Sequence, residues 1–575
     1  MMRSSLSYRP SLPLPSSCSC RRQASHFPAS LSSAAAPPPP PLASVYASSV
    51  TPEDSASTPA TLSENPTWSD PSYLARYRDP TRHDVFSPSG RPTASHKRAF
   101  EISSDSKPSN STAPTDNGSN GSGNGNGKGK RSRRNRLEME ALWSGGDFSP
   151  PIPLESYHAQ TSKPQHALLF PGSGSQYVGM GHFLREKGKG KEVWSEAEDA
   201  LAGFEEWRKG LKLDQLPGEL GELGRMLDAG EAKRRTEASL QQVVFEGPQL
   251  VWARQDELTR SANAQPAILI TSLAFLRTLE SQLSSSIVGS SSLILGHSSG
   301  EYSAAVAAGA LSLADGVRLT RLHGLLNHHA LSLPSIGLSP DPDAPARLKG
   351  QMSALVLNPG HSHAELTAVI RKIRAGRPNQ SGSEGTVEVA SFNSSTQVVL
   401  AGSRDGILRA SEVLKELEIA SRAADLPVSA PFHCSFMLPA AMGIEHALTT
   451  GVRLSTPSVP LVSGLDASLI ASPSSLVSNL VSQISLPVRW STCINSLPDT
   501  HGIRRLVFLG PGQALANLAR RDHKLLKEAR AALRGEDGEG VKEMETEVVS
   551  VATEKDMDRL VEMWEDEAAD GEEHA

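Results

Sequence analysis

Cysteine is scarce: four residues in a chain of 575. Cys18 and Cys20 fall near the start, leaving Cys434 and Cys493 for everything else. That is too few for a disulfide framework, and the spacing is not that of a zinc site. Aromatic residues make up only 5% of the chain. None interrupts the basic cluster from Lys128 to Arg136, so the cluster reads as a solvated linker rather than a nuclear signal or a nucleic-acid surface. A net charge of −6 also argues against nucleic acid as the main partner. No run of about 18 apolar residues exists, which excludes a membrane-spanning helix. The most local absence is of charge of one sign: residues 1–50 contain no Asp, Glu or Lys, yet carry Arg3, Arg9, Arg21 and Arg22 among many serines. An Arg- and Ser-rich, acid-free start without a long apolar segment is the composition of an organelle transit peptide, not of a secretory signal. Residues 1–50 are therefore expected to direct the chain to the mitochondrial matrix.

The next hundred residues are just as uneven. Residues 51–150 are rich in Pro, Ser, Gly and Asn and cannot bury enough apolar surface to offset their ordering entropy, so a disordered linker is expected. At the far end, residues 566–575 read as an acidic, solubilising tail. Between these segments "HALLF" (166–170) is an apolar strand that breaks into the loop "PGSGSQ" (171–176). Such a loop exposes backbone N–H groups suited to an anion. It lacks the third glycine of a dinucleotide fingerprint and the G-K-[ST] of a P-loop. A second strand, Leu293–Leu295, runs into Gly296-His297-Ser298-Ser299-Gly300 and a helix rich in small residues. A G-x-S-x-G turn between strand and helix presents a serine as a nucleophile, for hydrolases and acyltransferases alike.

The remaining periodicity defines the architecture. Residues 151–349 and 428–565 alternate strand and helix, the pattern of a parallel α/β sheet covered on both faces. The segments "VPLVSGLD", "LPVRW" and "RRLVFLG" are read as later parts of that large subdomain. Residues 350–427 read β-α-β-β-α-β, the ferredoxin-like split motif, as a small inserted subdomain. The fold expected is thus α/β: an α/β-hydrolase-like large subdomain with a ferredoxin-like insert. The charged, helical stretch at about 186–240 reads as a surface insertion.

Six motifs then fall in order: F-P-G-S-G-S-Q (170–176), N-A-Q-P (263–266), G-H-S-S-G-E-Y-S-A (296–304), F-N-S (392–394), P-F-H-C (431–434) and L-G-P-G (509–512). Together they resemble the malonyl-CoA:acyl-carrier-protein transacylases, and the leader makes the mitochondrial form the nearest match. The resemblance implies Ser298 as nucleophile and His433 as base, with the imidazole held by the backbone carbonyl of Gln483. It implies an oxyanion hole made by the backbone N–H groups of Ser173 and Ser299, and substrate contacts at Gln265, His323, Asn393 and Phe432. No metal and no cofactor is implied. Malonyl-CoA and the phosphopantetheine thiol of an acyl carrier protein are the substrates, and the chain is expected to act as a monomer.

One position departs from that family. The arginine that takes the malonyl carboxylate should fall at 323, where this chain has His323. Arg321 and Arg318 lie at other angles around the helix, at about 100° per residue. Histidine lacks arginine's planar fork of donors. Phe432 beside the base argues on volume against a branched acyl group and leaves malonyl and acetyl both open. Two other readings also stay open: a serine hydrolase using Ser298, Asp466 and His501, and an inactive scaffold that only binds a carrier protein.

Overall fold

The computed structural model describes residues 165–575 apart from 187, 235–238, 246–250, 284, 342, 376–384, 535–545 and 574–575. The expected transit peptide and linker lie outside the described residues.

The main sheet is built from β1 (His166–Phe170), β2 (Leu293–Gly296), β7 (Leu461–Val462), β8 (Leu469–Ile470), β9 (Arg505–Leu509) and β10 (Glu547–Val551). These six strands lie side by side in the order β10-β9-β1-β2-β7-β8. Every pairing is parallel except β7 with β8. The side-chain period of two explains the composition of β1: Leu168 and Phe170 join the larger core, while Ala167 and Leu169 join a second one with Leu293, Leu295 and Trp490. Both faces are therefore buried, as a parallel sheet requires. Helix Ser261–Gln282 covers one face, with Leu269 and Leu273 in the larger core. Helices Trp490–His501 and Ala514–Arg534 cover the other, through Leu497, Ala516 and Ala519.

The smaller sheet comprises β3 (Gly350–Leu357), β4 (Val387–Phe392), β5 (Gln397–Ser403) and β6 (Ala420–Asp425). It is antiparallel, in the order β4-β5-β3-β6. Helices His363–Ala375 and Arg404–Glu416 complete the split β-α-β motif. Leu355, Val389 and Leu400 face those helices in a core of their own, and Met352, Ala354 and Ala401 face the larger core. The insert is thus welded to the large subdomain through one face of its sheet.

Three expectations differ from the structure. The "LPVRW" segment adds no strand to the main sheet: Val488 bridges Ser391 of β4 and exchanges backbone hydrogen bonds with Ala390 and Phe392. The 186–240 stretch is no surface appendage. Helix Gly188–Ala202 buries Val193, Trp194, Ala197 and Ala200, and Leu223 and Leu227 of the next long helix, Glu219–Arg234, are fully enclosed. At the C-terminus, Glu567 belongs to helix Glu554–Glu573 and ion-pairs with Arg505. That guanidinium also takes Glu547 at 2.6 Å and lies over the Trp564 ring.

Candidate active site

β1 and β2 are adjacent at the centre of the sheet, with Phe170 level with Gly296. Loops leaving their carboxyl ends therefore meet, at the edge where parallel sheets place their sites. The His297 N–H donates to Phe170 O at 2.9 Å, tying the two loops together. The backbone then turns sharply: Ser298 has φ +54, a left-handed conformation that side chains with a Cβ adopt at a cost. Helix Gly300–Ala307 starts immediately after it. A Cβ at Gly300 would sit 2.5 Å from Phe170 O, and one at Gly172 would sit 2.1 Å from His297 O. Only glycine lets these segments approach so closely.

His433 meets Ser298 from a different part of the chain, and it too is left-handed, at φ +58. Its Nε2 lies 2.7 Å from Ser298 Oγ, and its Nδ1 lies 2.6 Å from Gln483 O. A carbonyl can only accept, so Nδ1 carries the proton and Nε2 offers its lone pair to the serine hydroxyl. Gln483 sits near the end of helix Pro473–Ser485, where the last carbonyls of a helix have no partner within it. Burial pushes the His433 pKa down to about 4, against the opposing pull of the Gln483 carbonyl, and His297 lowers it further. The imidazole is therefore neutral near pH 7 and able to accept a proton. The histidine on the serine is His433, not the His501 that a hydrolase triad would require.

A layer of polar groups supports this pair. The His297 Nε2 lies 3.0 Å from Asn393 Oδ1, and its ring meets Trp490 edge-on at 5.1 Å. The same Asn393 oxygen accepts from the Ser391 hydroxyl, and Asn393 Nδ2 donates to Gln397 Oε1 at 3.3 Å. The family resemblance makes Asn393 a substrate contact; in the structure its amide is engaged at both ends within the protein, because it caps the end of β4 against the serine turn. Glu301, buried in the first turn after Ser298, accepts from the Gly464 N–H at 3.0 Å and from Asn479 Nδ2. Asn479 lies one turn before Gln483 on the same helix, so Glu301 fastens the serine turn to the helix that holds the base. Burial raises the Glu301 pKa to about 8. Sequence reasoning misses this group; its only signal is an acid inside an otherwise apolar helix start.

The other expected contacts are enclosed. Gln265 (3% exposed) and Phe432 (8% exposed) are buried, as is His323. His323 lies on helix Leu313–Ala330, with its ring 5.9 Å from that of Tyr302. Burial, and then the proximity of His433, lowers its pKa to about 3, so the imidazole is uncharged. Its Nδ1 has no hydrogen-bond partner among the described residues. The neighbouring arginines are committed elsewhere. Arg321 donates to Ala262 O and Asn263 Oδ1, and Arg318 pairs with Asp315.

The two N–H groups expected at the oxyanion are not equally free. The Ser299 N–H has no acceptor among the described residues. The Ser173 N–H donates to the Ser299 hydroxyl at 3.1 Å. Among the described residues no group of His, Cys, Asp and Glu could hold a metal ion, and no helix is long and apolar enough to cross a membrane.

A strained serine on a strand-to-helix turn, a neutral imidazole on its hydroxyl and N–H groups beside it form a site for acyl transfer. Comparison with known proteins agrees: residues 167–332 match the acyl transferase domain family. The protein is an acyltransferase. A malonyl CoA-acyl carrier protein transacylase of Bacillus subtilis is 32% identical over 363 residues, covering 63% of this chain and 91% of the bacterial protein. The solved acyl-carrier-protein S-malonyltransferase of Bartonella henselae superposes with a TM-score of 0.51 at 29% identity, over 70% of this chain and 99% of that one. A malonyl-transacylase solved in complex with its type II polyketide acyl-carrier protein gives 0.50 at 25% identity, over 69% and 99%. The chain belongs to the malonyl-CoA:acyl-carrier-protein transacylase family.

Proposed function

We propose that this enzyme moves a malonyl group from CoA to the phosphopantetheine thiol of an acyl carrier protein, by way of a malonyl ester on Ser298. The observation that carries the reading is the relay from Ser298 Oγ to His433 Nε2 and from His433 Nδ1 to Gln483 O. As Ser298 Oγ forms its bond to the thioester carbon, its proton passes to Nε2. The C–S bond then breaks, and the imidazolium returns that proton to the departing CoA sulfur. In the second half the carrier thiol gives its proton to Nε2 and attacks the ester, and Ser298 leaves with the proton restored. Gln483 offers a neutral acceptor, which fixes the tautomer without burying another charge. The N–H groups of Ser299 and Ser173 are assigned to the oxyanion. The relatives' names support malonyl and carrier protein as substrates, and the composition of residues 1–50 supports work in mitochondrial fatty-acid synthesis. We further take the enzyme to act as a monomer with no metal and no cofactor of its own.

One observation favours a second acyl group. With His323 uncharged and Arg318 and Arg321 committed elsewhere, this helix offers a malonyl carboxylate no free cation among these three positions, so acetyl is a competing load. Intact-mass measurement of the chain lacking residues 1–50, after mixing with malonyl-CoA, acetyl-CoA or propionyl-CoA, tests both. A malonyl adduct abolished by Ser298→Ala supports the proposal. An acetyl adduct without a malonyl one keeps the mechanism and replaces the substrate. No adduct from any donor overturns the acyl-serine.

A further inference from the structure

Ser299 occupies the N-cap position of helix Gly300–Ala307, where a serine hydroxyl ordinarily accepts an N–H from the first turn of its own helix. Here it makes no such bond. Its hydroxyl instead accepts the Ser173 N–H at 3.1 Å and lies 3.3 Å from the Ser173 hydroxyl. The side chain is almost fully enclosed, at 4% exposure. The Ser173 N–H has little freedom to turn elsewhere. Gly172 packs against His297 O and Ser298 Cβ, and Ser175 closes a turn on Gly172 O through its N–H at 3.2 Å and its hydroxyl at 2.9 Å. One of the two donors assigned to the oxyanion is thus already engaged, by an oxygen of the residue next to the nucleophile.

We propose that the Ser299 hydroxyl stands in for the substrate's carbonyl oxygen until an acyl group binds, and that it must swing away about χ1 before Ser298 can be acylated. The inference rests on the acyl-serine reading above. A hydroxyl oxygen and a carbonyl oxygen are both acceptors, and a single N–H directed into one enclosed spot serves one of them well at a time. Before acylation the plug keeps a half-buried donor satisfied on the enclosed Ser299 oxygen. When the thioester enters, its carbonyl competes for that N–H. The free Ser299 N–H gives it a first foothold, and the released hydroxyl can turn back to its own helix as an N-cap. Ser299 is thus a positioning residue that sets how readily the second donor becomes available.

The test is the single-turnover rate at which limiting malonyl-CoA or acetyl-CoA labels Ser298, followed by intact mass in wild type, Ser299→Ala and Ser299→Cys. Removing the competing hydroxyl in Ser299→Ala should speed labelling about five-fold, the worth of one net hydrogen bond. Cysteine keeps the bulk but accepts weakly, so Ser299→Cys should fall between the two. Matched thermal melting of the three proteins shows that the fold is intact. Equal rates in all three overturn the plug, because the hydroxyl then does not compete. A slower Ser299→Ala also overturns it, because the hydroxyl would then be donating to the oxyanion. Failure of the acyl-serine reading looks different: wild type itself would not be labelled by either donor.

Discussion

At His433 two opposing influences meet, and the outcome sets the pH range of the chemistry. Burial outweighs the Gln483 carbonyl and brings the pKa to about 4, so the base stays neutral far below the ordinary histidine range of about 6.5. Labelling of Ser298 by an acyl-CoA should therefore hold a plateau as the pH falls, then drop with a midpoint near 4 as Nε2 takes a proton. A midpoint at about 6.5, the ordinary histidine value, in a single-turnover series would show that the imidazole is not desolvated in solution. His433→Ala should slow labelling by about a thousand-fold or more, whereas His501→Ala should leave Ser298 reactive; the reverse pattern would restore the hydrolase reading. At position 323 the question is charge. His323→Arg should raise malonyl over acetyl labelling by about ten-fold, since a planar pair of donors matches a carboxylate. An unchanged ratio in a mixed-donor competition would mean that this side chain does not face the acyl group.

The elements show how the site is held and which parts of it are legible in the sequence. The β1 loop works only because Gly172 lies against His297 O, so Gly172→Ala should move the Ser173 N–H and cost the labelling rate about 100-fold, the loss of one oxyanion donor. Wild-type labelling by that variant would show the loop to be dispensable. Both glycine-rich turns, Ser298 and His433 are readable from motif order, because glycine and a strand-ending apolar run announce themselves locally. The split β-α-β motif is readable too, from the change of period along 350–427. The 186–240 stretch misleads because its charges hide an apolar stripe at helical spacing: Val193, Trp194, Ala197 and Ala200. The Ser299 hydroxyl and the Glu301 clasp are not legible as contacts, since their partners lie 126 and 178 residues away in the chain, although an acid in an apolar helix start hints at Glu301. The C-terminal acids mislead for the same reason: their partner, Arg505, is on β9. Arg505→Met should lower the unfolding free energy by about 2 kcal/mol, since it removes the ion pairs to Glu547 and Glu567, whose carboxylates are half in water. Urea titration would measure it, and an unchanged midpoint would mean the helix docks through Trp564 alone.

For the whole molecule, the buried titratable groups govern acid stability. His297, His323, His363 and His433 all have lowered pKa values, about 3 to 4 for the last three, with burial as the first cause of each. An unfolded chain takes up protons at these rings below about pH 6.5 while the folded chain does not, so stability falls as the pH drops from there toward 4. Glu301 acts in the other direction, holding its proton up to about pH 8 in the fold, so its contribution is lost as the pH rises through 8. Glu198 and Asp522 are shifted upward by burial as well, yet four imidazoles still outnumber three carboxyls, and the melting temperature should be lower at about pH 5 than at about pH 7; calorimetry showing the opposite would mean that water reaches these rings. Left-handed backbone at both Ser298 and His433 has a further consequence. Each strained side chain costs stability of about 1 kcal/mol or more, and glycine would relieve it. A copy of this chain released from catalysis would gain robustness by discarding Ser298 or His433, so a merely adhesive descendant should drift toward glycine at these two positions. Serine and histidine at these two positions are what the proposed acyl transfer would need, at a standing cost in stability.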